Sequence, residues 1–492
     1  MPEPTPQPTL PPQSPPGSAQ PDPQTRALLK TWLIIALAAI AAAAVYYGLP
    51  SNVNELARRA AAIFVVAAIF WATEVLPLYA TSLVIVALCV LLLTTDGGIA
   101  ALLPSHADWP VNDAGEPLNL PFATFFEAFA SPVIILFLGG FLLSAAVTKH
   151  GLDRAIASKI LSPVSHRPLL LIFAIMGITA FFSMWMSNTA TAAMMIGIVS
   201  PLLRNLHESE RFGHAIILAV PFGANIGGIG TPIGSPPNAI ALGSLQSAGI
   251  NITFVDWMIV GVPLALILLT VAGLLLFLMY RPSASLDIGH IHAREKISAA
   301  GKATACVLLA AMALWLTGRW HGIAPAVVAL LAAAALTALR VLDRKDVDSI
   351  DWNILILMWG GLTLGHAMQT TGLVDHVMQL PIADLRGIAL AAVVVFVAAG
   401  LSTFMSNTAA ATLIIPMAIA LSPTEAGELA ILVAFACSFA MAMPISTPPN
   451  AIAFASGRIT VNTMLTAGGL ITLIALLLLL IGYQIMIPII LN

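Results

Sequence analysis

The chain has 492 residues, of which 59% are hydrophobic and only 9% charged, and its net charge is −3. A soluble domain carries about 25% charged residues, so the composition excludes an ordinary water-soluble globule and puts most of the chain in lipid or against itself within lipid. The charge is too slight for a nucleic-acid partner, and Cys89, Cys306 and Cys437 stand in apolar runs without ligand spacing, so they read as core filler rather than a disulfide or metal set.

Residues 1–25 hold ten prolines among Gln, Ser and Thr. With almost nothing to bury, such a segment stays disordered or polyproline-like; a solvated cytoplasmic tail over 1–27 is expected, without the charged-then-apolar order of a signal peptide. Apolar spans follow at 31–49, 60–76, 78–95 and 132–148, then a hairpin with arms at 168–186 and 190–203. A broken span (214–229 and 237–247) leads to a span at 255–280. The second half gives spans at 303–317, 323–340 and 353–369, and a hairpin at 387–405 and 409–421. It closes with a broken span (428–443 and 450–457) and a last span at 463–490. The expected fold is an all-α polytopic membrane protein of about eleven transmembrane helices plus two re-entrant hairpins. Its units are a first transmembrane helix in 28–55, one repeat in 56–285, a cytoplasmic linker in 286–302 and a second repeat in 303–492.

Lysine and arginine placement orients these spans. With the N-terminus inside, sixteen of the twenty basic residues fall on the cytoplasmic side, and only Arg58, Arg59, Arg319 and Arg386 fall outside. The loop 96–121 has four acids and no base, as an external loop should. The C-terminus is then external.

The two halves repeat each other. Gly139-Gly140 and Gly151-Leu152 match Gly360-Gly361 and Gly372-Leu373 at an offset of 221 residues, and Ser187-Asn188-Thr189 matches Ser406-Asn407-Thr408 at 219. Gly234-Ser235-Pro236-Pro237-Asn238 matches Ser446-Thr447-Pro448-Pro449-Asn450 at 212. The first hairpin is flanked by Lys159, Arg167, Arg204 and Arg211, so it enters from the cytoplasm; the second, flanked by Glu425 and Glu428 with Arg386 its one base, enters from outside. Like units of opposite orientation are the inverted-topology repeats of secondary transporters, whose sites lie at mid-membrane where helices break.

The prolines and glycines of the second motif stop a helix and free its carbonyls. A broken helix offers amides that favour anions and carbonyls that favour cations. Two Ser-Asn-Thr tips beside two such turns therefore suit an anion together with hard cations bound by neutral oxygens. No Asp, Glu, His or Lys lies within these motifs, which favours sodium over a proton relay. Glu74, in Trp71-Ala72-Thr73-Glu74-Val75-Leu76-Pro77, is the clear intramembrane carboxylate and reads equally well as a helix-end group. His150, His366 and His376 read as interfacial, and Met184, Trp185 and Met186 as packing.

These signatures resemble the divalent anion:sodium symporters, which carry di- and tricarboxylates or sulfate; the resemblance covers about residues 55–490. It implies a first sodium site at Ser183, Ser187, Asn188 and the backbone of Gly234, and a second at Ser402, Asn407 and the backbone of Ser446, with Thr403 beside it. It implies a substrate site of Ser187, Asn188 and Thr189 facing Ser406, Asn407 and Thr408, closed by Ser235 and by Thr447-Pro448. It further implies two or more sodium ions, no organic cofactor and a homodimer with a sliding transport domain, in a bacterial inner membrane. The expected activity is sodium-coupled symport of C4-dicarboxylates such as succinate, malate or fumarate, not an enzymatic reaction. A dicarboxylate exchanger, or a sulfate or tricarboxylate carrier of the same fold, stays open beside it. Ser187 has no His or Lys at motif spacing that would make it a hydrolase nucleophile.

Overall fold

An apolar helix can stop within hydrocarbon only where other groups take up its freed amides and carbonyls, so the breaks in this chain decide its architecture. The computed structural model describes residues 23–94, 96, 120–204, 206, 210–283, 297–379 and 381–485. All regular structure among them is helical. The expectations for the tail up to residue 22, for loop residues 97–119 and for linker residues 286–296 lie outside the described residues.

The first half runs α1 (Pro23–Gly48), α2 (Glu55–Thr73), α3 (Leu78–Leu93), α4 (Ala123–Glu127), α5 (Pro132–Lys149), α6 (Leu152–Leu161), α7 (Pro168–Trp185), α8 (Asn188–Arg204), α9 (Phe212–Gly228), α10 (Pro236–Ser247) and α11 (Phe254–Met279). The second half begins with α12 (Ala299–Leu316), α13 (Gly318–His321), α14 (Pro325–Ala338), α15 (Arg344–Asp348) and α16 (Trp352–Thr370). It continues with α17 (Leu373–Val377), α18 (Ile388–Phe404), α19 (Asn407–Leu421), α20 (Ala426–Ser438), α21 (Pro448–Ala455) and α22 (Val461–Ile485).

Among the described residues, seven helices are long and apolar enough to cross a bilayer, or eight if the bent pair α19–α20 is one span. The sequence predicts about eleven, and helix length and polarity account for the difference: α16 has 19 residues but is not among the spans, being too polar. α3 has 16 residues and α14 has 14, short of the roughly 20 that a span needs. α7 meets the length test although it is the first arm of a hairpin. Cys89 and Cys437 are buried as core filler, but Cys306 is exposed on α12, a helix with few buried residues whose apolar surface faces outward.

The repeat is visible in the backbone. Gly151 and Gly372 both adopt positive φ, 63° and 73°, and each begins a short helix, α6 and α17. Only glycine takes that conformation without strain. At the hairpin turns Met186 and Met405 are extended, with φ/ψ of −131°/165° and −133°/171°. Beyond each turn a nearly all-buried helix follows: every residue of α9 but His214 is buried, and every residue of α20 but Glu428. These two helices form the centre, and the hairpins pack around them.

A wall of helices stands beside this block, held by the paired glycines. A Cβ added to Gly139 on α5 would lie 2.6 Å from the carbonyl oxygen of Ala329 on α14. A Cβ added to Gly360 on α16 would lie 2.5 Å from the Cβ of Ser82 on α3. Small residues let backbones approach and gain dispersion contacts where lipid supplies no hydrophobic drive. At one end of this wall Lys149 bridges to Asp343 at 3.1 Å and Asp346 at 2.5 Å.

Because Ala329 meets Gly139 with backbone, which cannot rotate away, Gly139→Ala should destabilise the protein by about 1–3 kcal/mol. Gly177 has nothing within 4 Å of an added Cβ, so Gly177→Ala should be neutral or slightly stabilising. Thermal unfolding in detergent checks both; equal melting temperatures would mean that the helix crossing is not tight.

Candidate functional site

The two hairpin turns bring Ser-Asn-Thr from each half to one crevice. Its volume is about 250 Å³, and its lining includes Ser187, Asn188 and Thr189 from the first half and Ser406, Asn407 and Thr408 from the second. Gly234 and Pro236 of the first break and Thr447, Pro448 and Pro449 of the second complete that side. The wall supplies the other: Leu78 at the start of α3, Phe137 and Phe141 of α5, and Asp351, Asn353, Ile354 and Leu357 at the start of α16. The N-termini of α8, α10, α19 and α21 lie beside this space and favour negative charge, although α10 and α21 begin Pro-Pro and so offer it no amide there.

Behind the first turn, oxygens converge. Ser183 Oγ donates to the Ala224 carbonyl at 2.8 Å and lies against the side-chain amide of Asn188. A Cβ placed on Gly228 would lie 2.9 Å from Asn188 Oδ1, and one on Gly234 would lie 2.5 Å from the Gly228 carbonyl and 3.0 Å from that of Ser183. Thr231 Oγ1 donates to the Met184 carbonyl, and Asn238 Nδ2 donates to the carbonyls of Gly228 and Thr231, both at 2.8 Å.

The second turn repeats the pattern. Ser402 Oγ donates to the Cys437 carbonyl at 2.8 Å, as Ser183 does to Ala224. Ser446 Oγ donates to the Thr403 carbonyl at 2.9 Å, and the Asn407 amide N–H reaches the Ser446 carbonyl at 3.4 Å. Thr408 Oγ1 donates to Asn407 Oδ1 at 3.2 Å, and Asn450 Nδ2 donates to the Met443 carbonyl at 3.0 Å. Each cluster is a set of neutral hydroxyl, amide and carbonyl oxygens, the donor set of a hard cation without strong charge.

The sequence-derived site residues thus fall into two layers. Ser187, Asn188, Thr189, Gly234, Ser406, Asn407, Thr408, Thr447 and Pro448 line the crevice. Ser183, Ser402, Thr403 and Ser446 lie behind it, in the oxygen clusters. Ser235 is fully buried and is not among the lining residues. Its Oγ has no hydrogen-bond partner, nor do the buried Asn225 Oδ1, Asn238 Oδ1 and Thr191 Oγ1. Thr447, at the matching position, instead caps α21 by accepting from the Asn450 amide.

Three polar residues of the site are absent from the sequence-derived set. Asn225 on α9, 1% exposed, donates to Thr447 Oγ1 at 3.2 Å and Asn450 Oδ1 at 3.1 Å, tying the first half to the second. Its signal was a lone amide in an apolar helix, invisible to repeat matching because α20 has no amide at the corresponding place. Asp351 and Asn353 are exposed at the mouth of the crevice. The crevice walls strip water from the Asp351 carboxyl and raise its pKa, opposed by the backbone amides of Ile354 and Asn353. Glu74 is an exposed helix-end residue with φ 48°, outside the crevice lining. His150 bonds the Val341 carbonyl through Nε2 at 3.1 Å, and His366 packs edge-on against Phe125. Trp185 stacks on Phe254, which stacks on Trp315 at 5.2 Å between centroids, so this aromatic packs the back of the first turn.

The transmembrane-region family of sodium:sulfate symporters matches residues 28–490. An uncharacterised transporter of Haemophilus influenzae is 34% identical over 374 residues, covering 70% of this chain and 79% of the relative. A sodium-dependent dicarboxylate transporter, SdcS, of Staphylococcus saprophyticus is 28% identical over 480 residues, covering 89% and 88%. Among solved structures, Neisseria gonorrhoeae MtrF, described as one of a class of antimetabolite efflux pumps, superimposes with a TM-score of 0.54 at 12% identity over 85% of this chain and 96% of that one.

Replacing Asn225 by the similarly sized Leu removes two buried hydrogen bonds and leaves Asn450 Oδ1 unpaired. The loss should be about 1–3 kcal/mol, seen as a lower melting temperature. Ser438→Ala removes only a bond within α20, to the Ala434 carbonyl, and serves as the mild control.

Proposed function

We propose how this chain works from what it is: it belongs to the sodium:sulfate symporter family, and so is an integral membrane transporter and not an enzyme. On this reading it is a sodium-coupled carrier of divalent anions, with C4-dicarboxylates such as succinate, malate and fumarate as the leading substrates. The observation that carries the reading is the meeting of both Ser-Asn-Thr tips in one small crevice without a lysine or arginine in its lining. A dianion held there by neutral donors alone would lack compensation for its lost hydration. Two sodium ions in the oxygen clusters behind the tips supply it. The volume, about 250 Å³, lies below the roughly 300–1,000 Å³ typical of drug-sized ligand sites and suits a small anion. The printed name of the Staphylococcus saprophyticus relative, a sodium-dependent dicarboxylate transporter, agrees.

The first sodium ion would be held by Ser183, Ser187, Asn188 and the Gly234 backbone, the second by Ser402, Asn407 and the Ser446 backbone near Thr403. The anion would lie between Ser187-Asn188-Thr189 and Ser406-Asn407-Thr408 against the Thr447-Pro448 turn, with Ser235 supporting the first break from behind. Lys149, Arg344 and Lys345 mark the end of the wall where the crevice opens, so by the lysine and arginine rule that end is cytoplasmic. The conformation is then inward-facing in a bacterial inner membrane, with the N-terminus inside and the C-terminus outside. Alternating access would slide the hairpins and broken helices past a wall that includes α3, α5, α14 and α16, in a homodimer. The repeats over 56–285 and 303–492 would each contribute one hairpin to the moving part.

In liposomes, an inward sodium gradient should drive succinate accumulation. Uptake that requires internal dicarboxylate but no sodium would establish exchange instead. Asn188→Ala and Asn407→Ala should each cut uptake by at least about tenfold at normal expression, since each removes an amide shared by cation and anion. Near-normal uptake would make the tripeptides helix glue. If the dianion is the carried form, the rate should fall as pH drops through the second ionisation of the substrate; a rate that rises there would favour a monoprotonated substrate or proton coupling.

A further inference from the structure

One residue of the crevice contradicts an anion site. Among the described residues that line it, Asp351 alone is acidic or basic, and it stands exposed at the mouth beside Asn353. Among the described residues it makes no ion pair, and two of the basic side chains at that end are engaged elsewhere: Lys149 bridges Asp343 and Asp346, and Arg344 meets Asp348 at 3.6 Å. It sits at the N-cap of α16, where the backbone amides of Asn353 and Ile354 lie beside its carboxyl. A capping role explains a carboxylate at this helix start but leaves its charge turned on the crevice that it also lines.

We infer that Asp351 is a specificity-determining residue of the open crevice: its negative charge opposes the bound dianion and weakens the hold on it at the mouth. This rests on the carrier reading above. The opposition has a use on the face where the anion leaves. With the sodium ions in place the site is electrically balanced and Asp351 subtracts modestly; once a sodium ion departs, the same carboxylate helps expel the anion. Affinity thus becomes conditional on the cations, and release into the open crevice is fast.

The Coulomb energy scales with the product of the charges. Neutralising Asp351 should therefore help a dianion by the square of the factor by which it helps a monoanion of similar shape. The test is equilibrium binding to purified full-length protein in saturating sodium at about pH 8, where succinate is fully ionised, with succinate and monomethyl succinate as probes. In Asp351→Asn, succinate should bind about tenfold tighter and the monoester only about threefold tighter. Asp351→Glu, which keeps the charge, should stay within about twofold of the wild type for both. Equal gains for the two probes, or no gain, would overturn the inference, as would weaker binding in Asp351→Asn, which would make Asp351 a cation ligand. A wild type that binds neither probe with sodium present overturns the carrier reading and this inference with it. A wild type that binds both, with an unchanged Asn variant, overturns this inference alone.

Discussion

A helix that ends at bilayer depth leaves amides and carbonyls that hydrocarbon cannot satisfy, and everything distinctive in this structure follows from ending helices there four times. The two hairpin turns and the two Pro-Pro-Asn breaks answer one another. Ser183 and Ser402 bond carbonyls of the broken helices α9 and α20, and Ser446 bonds back to a carbonyl of the hairpin at Thr403. Asn238 and Asn450 then reach round to carbonyls seven residues before them, at Thr231 and Met443. Each break alone would be unstable; a hairpin and a broken helix together satisfy most of each other's groups. Ser235 Oγ, Asn225 Oδ1 and Asn238 Oδ1 are left over, buried without a hydrogen-bond partner.

The two halves agree in backbone and differ in side chains, and the differences cluster at the site. Thr447 caps its helix and lines the crevice, whereas Ser235 is buried with an unspent hydroxyl. Asn225 crosses to the second half, and α20 returns no such bond. At the turns, Trp185 is buried in an aromatic stack, while Phe404 at the matching position is 72% exposed. A repeated scaffold fixes where helices break; the unmatched residues then make the first and second oxygen clusters unequal. Two unequal clusters need not bind or release cations at the same moment.

What could be read in the sequence was whatever local chemistry makes costly. A polar tripeptide or a run of prolines in an apolar span is conspicuous because hydrocarbon penalises it, so both tips and both breaks were legible. Gly151 and Gly372 were legible as a repeated pair, and their shared positive φ gives the reason. The two layers of the site came only from the family resemblance and not from spacing, because Ser183 and Ser187 are four residues apart yet differ in whether they meet the crevice, and that depends on α9 packing behind the turn. Asn225 and Asp351 were missed for a similar reason. A single amide in an apolar helix, or an acid at a helix start, looks ordinary until an element more than a hundred residues away is set against it. Helix length misled in the other direction: α14 crosses against α5 with only 14 residues because glycine lets the two backbones meet closely.

The chemistry of the crevice makes anion affinity a secondary property. Its lining offers hydroxyls, amides and helix N-termini, each worth a modest amount in an open, hydrated space, and its one formal charge has the wrong sign. A site built to hold dianions tightly would carry arginine, whose planar fork suits carboxylates. Here strong permanent attraction would defeat a carrier, because an anion bound equally well at every stage is never released. On the carrier reading, neutral donors with cations that come and go behind them would let the same few residues be a trap when the clusters are filled and a poor site when they are empty. On the carrier reading proposed above, coupling would need no separate device: it would reside in the amides of Asn188 and Asn407, which line the crevice and hydrogen-bond with Ser183 and Thr408.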